Sequence, residues 1–567
     1  MEFIQKKTSD RAVEYFIKKA SDQEIALVWD RFESQLPECG FCESGLSCRD
    51  CLQGPCISHP FRNESKQGIC GKDKDLLAVH SLLRLVIKGT MALMSQLTDF
   101  LKAVESHEIT TRDKGQTEEI VKDVKRLIEN GDARVVNEFP SSVRDVWKAT
   151  GISPQGIARD LFKASQKLEG GISDIEELLL WTLKVSVLGC NAQRLHGKLK
   201  QAVFGQVDPT TVKVNLGVLQ KDMPNILLYG YLSPILKHKI AEKAHGKKMA
   251  VLGVCTDPLL PPYCFSPVTT YGSQEIPLLT GAVDLIVAGD QFVNPSLVKM
   301  AKNWKVTLVP AERLKDDQDM EALSRQIVVQ AEKAFDNRHD IPRDIPEIIE
   351  SAVMGFSAKH VDIKRIIEGL NAGKIKGIAT LGGSNNVKYS QDDVITGIAQ
   401  SFLGNDILCI SEGEASVCLA KYGLLNPQER EKHCGEGLME FLVSLGKDIP
   451  PVLDWCTTDF LLTIAHIDDK ALCNDSIVAC FPETNRSEEV SKALWTVAMG
   501  ISTYFWPCLP VTGSPRTMTA LTDFCKATFG SQLHVITEKL APGAKADLFL
   551  RSLKESTTMS GKSWEES

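Results

Sequence analysis

Six cysteines lie within one short stretch near the beginning of the 567-residue chain, and this cysteine loop restricts the fold more than any other feature. Thiolates two or four residues apart can converge on one metal centre, and glycines let the backbone approach that centre closely. The stretch therefore indicates an iron–sulfur site, with a zinc site and plain structural cysteines as competing interpretations. The spacing is Cys39-x2-Cys42-x5-Cys48-x2-Cys51-x4-Cys56-x13-Cys70, with Pro55 before Cys56 and glycines at 40, 45, 54, 68 and 71.

The other eleven of the 17 cysteines are scattered between Cys190 and Cys525. Disulfides rarely persist in a reducing compartment, and scattered free thiols are usually small core residues. The N-terminus has no apolar stretch typical of a signal peptide, and Lys184 interrupts the longest apolar run, 178–190. We therefore expect a cytoplasmic protein without membrane insertion. Core positions are expected for Cys409, Cys418, Cys473, Cys480, Cys508 and Cys525.

The composition restricts the possible partners. A formal net charge of -8 argues against a general nucleic-acid binder, because neutralising phosphates requires clustered lysine and arginine. Hydrophobic residues make up 43% and charged residues 24% of the chain, a balance typical of globular domains.

The pattern of apolar residues changes near residue 220. Before this point, the spacing predicts helices, at 10–32, 73–104, 117–131, 154–168 and 174–203. After it, short apolar runs alternate with helical stretches, which predicts parallel sheets covered on both faces. The predicted strands are 225–229, 248–253, 283–287, 305–309, 377–381, 406–410, 451–453 and 476–480.

The domain organisation follows from this change and from a charged, proline-containing stretch at 337–348. We predict an α/β protein with a helical domain at 1–220 that carries the loop 39–71. Two Rossmann-like domains follow, at 221–345 and 346–567. In open parallel sheets, ligands bind beyond the carboxyl ends of the strands, so functional residues are expected directly after each strand.

One segment of the loop resembles the N-terminal signature of nickel–iron carbon monoxide dehydrogenases, which share a superfamily with hybrid-cluster proteins. This segment is Cys48-Arg-Asp-Cys51-Leu-Gln-Gly-Pro-Cys56, followed by Gly68-Ile-Cys70-Gly71 and Asp75. The resemblance implies a [4Fe–4S] cluster held by the four thiolates of the signature. It also implies that Cys39 and Cys42 hold a second cluster, [2Fe–2S] or [4Fe–4S], together with the same pair of another subunit. The chain is then expected to form a homodimer.

The resemblance extends along the chain, in segments such as 216–231, 280–284, 383–386, 434–438 and 512–514. In the family, one histidine and five cysteines bind the catalytic nickel–iron cluster after strands of the two α/β domains. The matching positions here are Tyr231, Cys255, Phe292, Ser384, Glu414 and a sixth at Cys456 or Thr458.

The residues that supply protons in the family are also replaced. Its histidines on the helix after the cysteine loop match Leu93, Gln96 and Asp99, and its catalytic lysine matches Glu488. With at most two of six ligands kept, the resemblance implies a divergent member without a nickel–iron cluster and without carbon monoxide oxidation.

Three functions are compatible with this pattern. The first is electron transfer through the N-terminal clusters to a ferredoxin-like or flavoprotein partner. The second is an oxidoreductase with a remodelled site at Cys255, Cys456 and Glu414, reducing small molecules such as hydroxylamine, because hybrid-cluster proteins bind iron through glutamate oxygens. The third is a structural or regulatory subunit of a redox complex. Cys255 and Cys456 can also be inherited core thiols without a ligand.

Overall fold

The structure, a computed structural model, describes residues 6–59, 66–106, 109–129, 136–311, 319–338, 340–383, 385–467, 476–507, 509–536 and 547. The first part is helical apart from one small hairpin in the cysteine loop. Its helices are α1 (Arg11–Asp22), α2 (Val28–Glu33), α3 (Gly40–Glu43), α4 (Lys74–Glu105), α5 (Lys114–Glu129), α6 (Ser141–Thr150), α7 (Ile157–Leu168) and α8 (Ile175–Phe204). The hairpin consists of β1 (Ser47–Cys48) and β2 (Cys56–Ile57).

Two long helices, α4 and α8, form the centre of this part. Each begins at an aspartate whose side chain accepts a hydrogen bond from a backbone N–H of the first turn, Asp73 from Leu76 and Asp174 from Glu177. By length and apolar composition α4 could span a bilayer, but most of its apolar window is buried within the protein. Its apolar surface is therefore that of a core helix.

The first sheet has five parallel strands in the order β10-β9-β4-β5-β8. Its strands are β4 (Asn225–Tyr229), β5 (Ala250–Val254), β8 (Pro267–Thr269), β9 (Leu285–Ala288) and β10 (Thr307–Pro310). A separate hairpin consists of β6 (Leu259–Leu260) and β7 (Tyr263–Cys264). The helices of this region are α9 (Pro234–Ala244), α10 (Ile276–Leu279), α11 (Ser296–Asn303) and α12 (Met320–Asp336).

The second sheet has eight strands in the order β17-β16-β15-β12-β13-β14-β11-β3, parallel except for the edge pair β11–β3. Its strands are β3 (Thr210–Val214), β11 (Glu350–Phe356), β12 (Gly377–Leu381), β13 (Ile407–Ser411), β14 (Val452–Trp455), β15 (Ile477–Phe481), β16 (Ser502–Phe505) and β17 (Leu533–Val535). Its helices are α13 (Ile363–Asn371), α14 (Asp393–Gly404), α15 (Gly413–Ala420), α16 (Arg430–His433), α17 (Glu436–Leu445), α18 (Thr457–Ala465), α19 (Ser487–Ala498) and α20 (Pro515–Phe529).

Helix α19 joins the second sheet to the helical part by packing on α4 and α8. A Cβ built on Gly89 of α4 would lie 2.7 Å from the Glu488 backbone nitrogen, so only glycine allows this approach. One residue later, Thr90 Oγ1 lies 3.0 Å from Ser491 Oγ and donates to the Val185 carbonyl oxygen at 3.0 Å. Small residues thus bring three helices together beside the carboxyl ends of both sheets.

The predicted fold class, a helical part followed by α/β units with parallel sheets, is confirmed. Every predicted strand is present, and four of the predicted core thiols are buried, whereas Cys473 and Cys508 lie outside the described residues. The single helix predicted at 10–32 is wrong, because the chain leaves the helix at Gln23 and Glu24 adopts a left-handed backbone. The division at 220 and 345 stays a prediction, and β3 lies in the second sheet although it precedes residue 220.

Candidate functional site

The hairpin of the cysteine loop brings two predicted cluster thiols face to face. Cys48 and Cys56 are direct cross-strand partners, and the turn between them contains Pro55. The Ile69 backbone N–H donates to Cys56 Sγ at 3.5 Å, which places the segment of Cys70 beside the hairpin. Backbone N–H groups directed at sulfur are typical of iron–sulfur sites. The local geometry therefore suits a cluster.

Cys51 lies in the turn of the same hairpin and, like Cys70, is exposed. Within the described ranges, no three histidine, cysteine, aspartate or glutamate side chains lie close enough together to hold a single metal ion. The prediction of a cluster and not a zinc ion therefore rests on the spacing of the cysteines in the sequence.

Asp50 anchors the cysteine loop to α4. Its carboxylate forms ion pairs with Arg84 and with Lys72, at 3.3 Å, and accepts a hydrogen bond from Cys48 Sγ at 3.2 Å. Burial alone would raise the pKa of Asp50, but the two cations lower it below its usual value. Neighbouring His80 is buried, and burial together with Lys72 lowers its pKa to about 4. A charged network therefore fixes the position of Cys48.

The other two cysteines of the loop, Cys39 and Cys42, lie on the surface at the start of α3, and both are exposed. Hydrogen bonds from the Cys42 side chain and backbone lower the pKa of the Cys39 thiol. Lys388, from the connection between β12 and α14, forms ion pairs with both flanking carboxylates, Glu38 at 2.8 Å and Glu43 at 2.7 Å. The pair is thus held in place yet open to a second subunit.

A cavity of about 540 Å³, the central cavity, lies where the carboxyl ends of strands from both sheets face α4 and α8. Helices α15, α18 and α19 contribute residues of their first turns to its wall. Of the residues predicted here, Thr458 is fully buried in α18 and Ser384 lies outside the described residues. Those that line the cavity are Leu93, Gln96, Tyr231, Cys255, Phe292, Glu414, Cys456 and Glu488.

Arg486, which has no signal in the sequence, lies against several of these residues. Its guanidinium stacks 4.1 Å from the centre of the Phe292 ring and 5.1 Å from that of Tyr271. One of its nitrogens lies 3.6 Å from Glu414 Oε2, and Cys255 Sγ donates to Glu414 Oε1 at 3.7 Å. Burial raises the pKa of Glu414 and of Cys255 even though Arg486 opposes both shifts. A cation therefore lies beside three of the matched positions, Cys255, Phe292 and Glu414.

Two of the matched positions have an unusual backbone. Cys255, directly after β5, has φ +56°, and Phe292, shortly after β9, has φ +67°. Residues other than glycine rarely adopt this left-handed conformation, which costs on the order of 1 kcal/mol or more each. Such conformations cluster at functional sites. Cys255 and Phe292 thus share this backbone conformation, although the phenyl side chain cannot bind a metal.

The side of the cavity formed by α4 and α8 contains a neutral polar network. Tyr231 Oη donates to the Gln96 carbonyl oxygen at 2.9 Å and lies 3.3 Å from His196 Nε2. Burial lowers the pKa of His196 to about 4, helped by the positive charge of Lys200. His196 lines the cavity beside Tyr231.

The charged groups next to this network are two lysines and one aspartate. Lys237 is buried, and burial lowers its pKa to about 8. Its ammonium donates to Thr256 Oγ1 at 3.0 Å and to the Asp257 carbonyl oxygen at 2.8 Å. Lys200 forms an ion pair with the Asp257 carboxylate at 2.7 Å. This side of the cavity therefore carries a small excess of positive charge.

The opposite wall, from α15, β14, α18 and α19, is acidic. Glu412 bonds to Lys492 at 3.0 Å and to the Thr457 backbone N–H at 3.0 Å, and these contacts lower its pKa despite burial. Burial raises the pKa of Asp454 to about 6, and it also raises that of Asp459. Cys456 lies in this group, and burial raises its thiol pKa.

Comparison with known proteins gives the family. A model described as "Prismane/CO dehydrogenase family" matches residues 46–129 and 98–539. Carbon monoxide dehydrogenase 2 of Carboxydothermus hydrogenoformans is 27% identical, over 98% of this chain and 99% of the relative. Carbon monoxide dehydrogenase 1 of Methanosarcina acetivorans is also 27% identical, over 97% of each chain.

A solved structure, carbon monoxide dehydrogenase IV from Carboxydothermus hydrogenoformans, superposes with a TM-score of 0.90 at 27% identity. The superposition covers 98% of this chain and 100% of that one. The family model matches most of the chain, and both the sequence and the fold agree over nearly its full length. The chain therefore belongs to the Prismane/CO dehydrogenase family.

Proposed function

We propose that this protein is an iron–sulfur electron-transfer protein on a carbon monoxide dehydrogenase scaffold, and that it does not oxidise carbon monoxide. Two sites of different character support the proposal. The cysteine loop offers thiols held by backbone and charged contacts, whereas the central cavity offers few atoms that can bind a metal. The contact of Arg486 with Phe292 is the observation that carries the proposal.

The residues of the cavity do not fit a nickel–iron cluster. A phenyl ring has no electron pair for iron, and an arginine guanidinium has only donor N–H groups. Arg486 forms an ion pair with Glu414, so the acid at one matched position already has a cationic partner. Cys255 and Cys456 remain the only matched thiols within the described part of the chain. We therefore expect no nickel in the protein.

The residues of the cysteine loop do fit clusters. Cys48, Cys51, Cys56 and Cys70 would hold a [4Fe–4S] cluster, and Cys39 and Cys42 would hold a second one together with the same residues of another subunit. Such clusters accept and release single electrons with little movement of the protein. The exposed Cys39–Cys42 edge is where we place the homodimer contact, and a ferredoxin-like or flavoprotein partner would exchange electrons there.

The test uses protein produced without oxygen and supplied with iron and nickel. We expect iron for one four-iron cluster per chain plus a cluster shared by the dimer, no nickel, and no reduction of viologen dyes by carbon monoxide. A Cys56→Ser variant should lose the iron of the four-iron cluster, whereas Cys264→Ser, which changes an exposed cysteine outside the loop, should keep it. Nickel together with carbon monoxide oxidation, or a loop without iron, would refute the proposal.

A second candidate is an oxidoreductase with a remodelled metal site, and the 3.7 Å contact between Cys255 and Glu414 favours it. A metal bound there would have to displace Arg486 from Glu414. This candidate predicts iron beyond the amount held by the loop, lost selectively in Glu414→Ala, together with reduction of small molecules such as hydroxylamine. Iron equal to that of the loop alone would exclude it.

A further inference from the structure

Lys237, in the first turn of α9, is a buried lysine on the wall of the central cavity. Only 4% of the residue is exposed. Its nitrogen donates to Thr256 Oγ1 at 3.0 Å and to the Asp257 carbonyl oxygen at 2.8 Å, and both acceptors are uncharged. The Asp257 carboxylate forms its ion pair with Lys200 instead, at 2.7 Å. Within the described part of the chain, Lys237 is thus a buried amine held by neutral groups.

These contacts can be made by a neutral amine as well as by an ammonium group. An ammonium group has three N–H donors, whereas a neutral amine has two, together with a free electron pair. Thr256 and the Asp257 carbonyl oxygen take up two N–H groups, and the centre of the Phe265 ring lies 5.0 Å from the nitrogen. Loss of one proton therefore leaves both hydrogen bonds in place.

The charges around Lys237 decide how often the amine is neutral. Burial lowers its pKa to about 8, the negative charge of Asp257 opposes this shift, and the positive charge of Lys200 adds to it. His196, which also faces this group from α8, has a pKa lowered to about 4 and is neutral at pH 7. On α12, which packs on α9, Glu321 forms ion pairs with other lysines of α9. About a tenth of Lys237 is therefore neutral at pH 7.

The cavity is open to solvent beside this lysine. The side chain of Asp257 lines the cavity yet is 54% exposed, so a small molecule that enters here passes close to Lys237. Leu259 and Leu260, from the same connection, add apolar surface to the lining. The volume of about 540 Å³ lies within the range of small-molecule sites. This part of the cavity therefore suits a short hydrocarbon chain with one polar end.

We propose that the central cavity takes up small aliphatic aldehydes and holds them on Lys237 as an imine. The electron pair of the neutral amine forms a bond to the carbonyl carbon, and the carbonyl oxygen leaves as water together with both amine protons. Desolvated lysines, and lysines next to another cation, are the ones that react with carbonyl groups in this way. The aldehyde is thus bound covalently and without an oxidant or a reductant.

The inference goes beyond the proposed function, because electron transfer through the cysteine loop does not require a reactive lysine. It rests on the proposed function in one respect, since it needs a cavity that no metal cluster fills.

Reductive trapping on the anaerobic, cluster-loaded protein tests the inference. The protein is treated at pH 7 with propanal and cyanoborohydride, which adds hydride to an imine and leaves a propyl group on the lysine nitrogen. Peptide mass spectrometry then gives the rate at each lysine. We expect Lys237 to react at least about tenfold faster than Lys305, an exposed lysine on the surface, because fewer than about one in a thousand ordinary exposed lysines are neutral at pH 7.

Two variants of α8 serve as a matched pair. Lys200→Met removes the neighbouring positive charge and frees the Asp257 carboxylate for Lys237, and both changes raise the pKa of Lys237. Trapping at Lys237 should therefore slow by roughly fivefold or more at pH 7 and recover as the pH is raised. Lys198→Met removes a lysine of the same helix that pairs with Glu138, and it should leave the rate unchanged.

An adduct on exposed lysines alone, or equal rates at Lys237 and Lys305, would overturn the inference and show that Lys237 only holds the turn at Thr256 and Asp257. Because the adduct is located in the unsubstituted chain, this result does not depend on the folding of a variant. Nickel and iron analysis of the same sample separates the two proposals. Metal beyond that of the loop refutes the proposed function, whereas loop iron alone without an adduct at Lys237 refutes only this inference.

Discussion

The contact between α4 and α19 predicts opposite effects for two chemically identical substitutions. In Gly89→Ala, the new Cβ would lie 2.5 Å from the Ser487 carbonyl carbon and 2.7 Å from the Glu488 nitrogen, and nearer still to the Ser487 carbonyl oxygen. These are backbone atoms, so no side chain can rotate away and α19 itself must move. In Gly197→Ala, within α8, the new methyl group would meet no heavy atom of the described residues within 4 Å.

The expected changes in the free energy of unfolding combine a gain in helix propensity with a cost of overpacking. Replacing a helical glycine by alanine stabilises a helix by about 0.8–1 kcal/mol, and this gain applies to both variants. Overpacking costs about 1–3 kcal/mol or more, and it applies only at Gly89. We therefore expect Gly197→Ala to raise the free energy of unfolding by up to about 1 kcal/mol. Gly89→Ala should lower it by up to about 2 kcal/mol and also loosen the first turn of α19.

Urea denaturation of both variants, together with hydrogen exchange of the peptide that contains α19, measures these effects. The urea midpoint should fall for Gly89→Ala and rise for Gly197→Ala. Exchange of the first turn of α19 should be faster only in Gly89→Ala. Equal midpoints, or unchanged exchange in Gly89→Ala, would refute the assignment of this glycine to helix packing.

Three further predictions concern single charged or titrating groups. Lys388→Met removes the cation between the two carboxylates that flank Cys39 and Cys42. The cluster at these cysteines should then be harder to reduce, with a reduction potential lower by on the order of tens of mV in a redox titration. The control Lys374→Met, which removes a surface ion pair with Glu440, should leave the potential unchanged. His196 has a pKa lowered to about 4, so the unfolded chain binds more protons between pH 4 and 6.5. The free energy of unfolding should therefore fall as the pH drops through this window, by up to about 3 kcal/mol, and His196→Gln should reduce this fall in urea titrations at several pH values. Lys421→Met leaves two buried aspartates without their shared cation, which should cost about 3–5 kcal/mol in urea denaturation, and a loss below 1 kcal/mol would contradict this.

Much of the fold could be predicted because it follows from the local spacing of apolar residues in the sequence. The apolar run at 226–229, which directly follows Asn225, predicted β4, since a strand buried on both faces is apolar along nearly its whole length. Strand β3, Thr210–Val214, was missed because its alternating residues are partly exposed at the sheet edge. The break between α1 and α2 was missed because helical spacing continues through residues that fold as a turn.

The cysteine loop and the central cavity also differ in how much of each could be predicted from the sequence. The cysteine loop could be identified as a candidate cluster site because its thiols are close in sequence, and the structure adds the pairing of Cys48 with Cys56. Arg486 could not, because its contacts with Phe292 and Glu414 join residues far apart in the chain. Its sequence neighbours are polar and acidic, which is equally typical of an exposed helix start. Only the fold shows that this helix begins inside the protein.

The position of β3 has a consequence for the order in which the protein assembles. This strand pairs with β11 in antiparallel register, from Val214 beside Glu350 to Thr210 beside Met354. The segment that forms the five-stranded sheet lies between β3 and β11 in the chain, so all of it is synthesised before β11. It can therefore fold around its own apolar strands before the other strands of the larger sheet, β11 to β17, have been synthesised. Until β11 leaves the ribosome, β3 is an unpaired edge, and its exposed threonines and Lys213 help to keep that edge soluble.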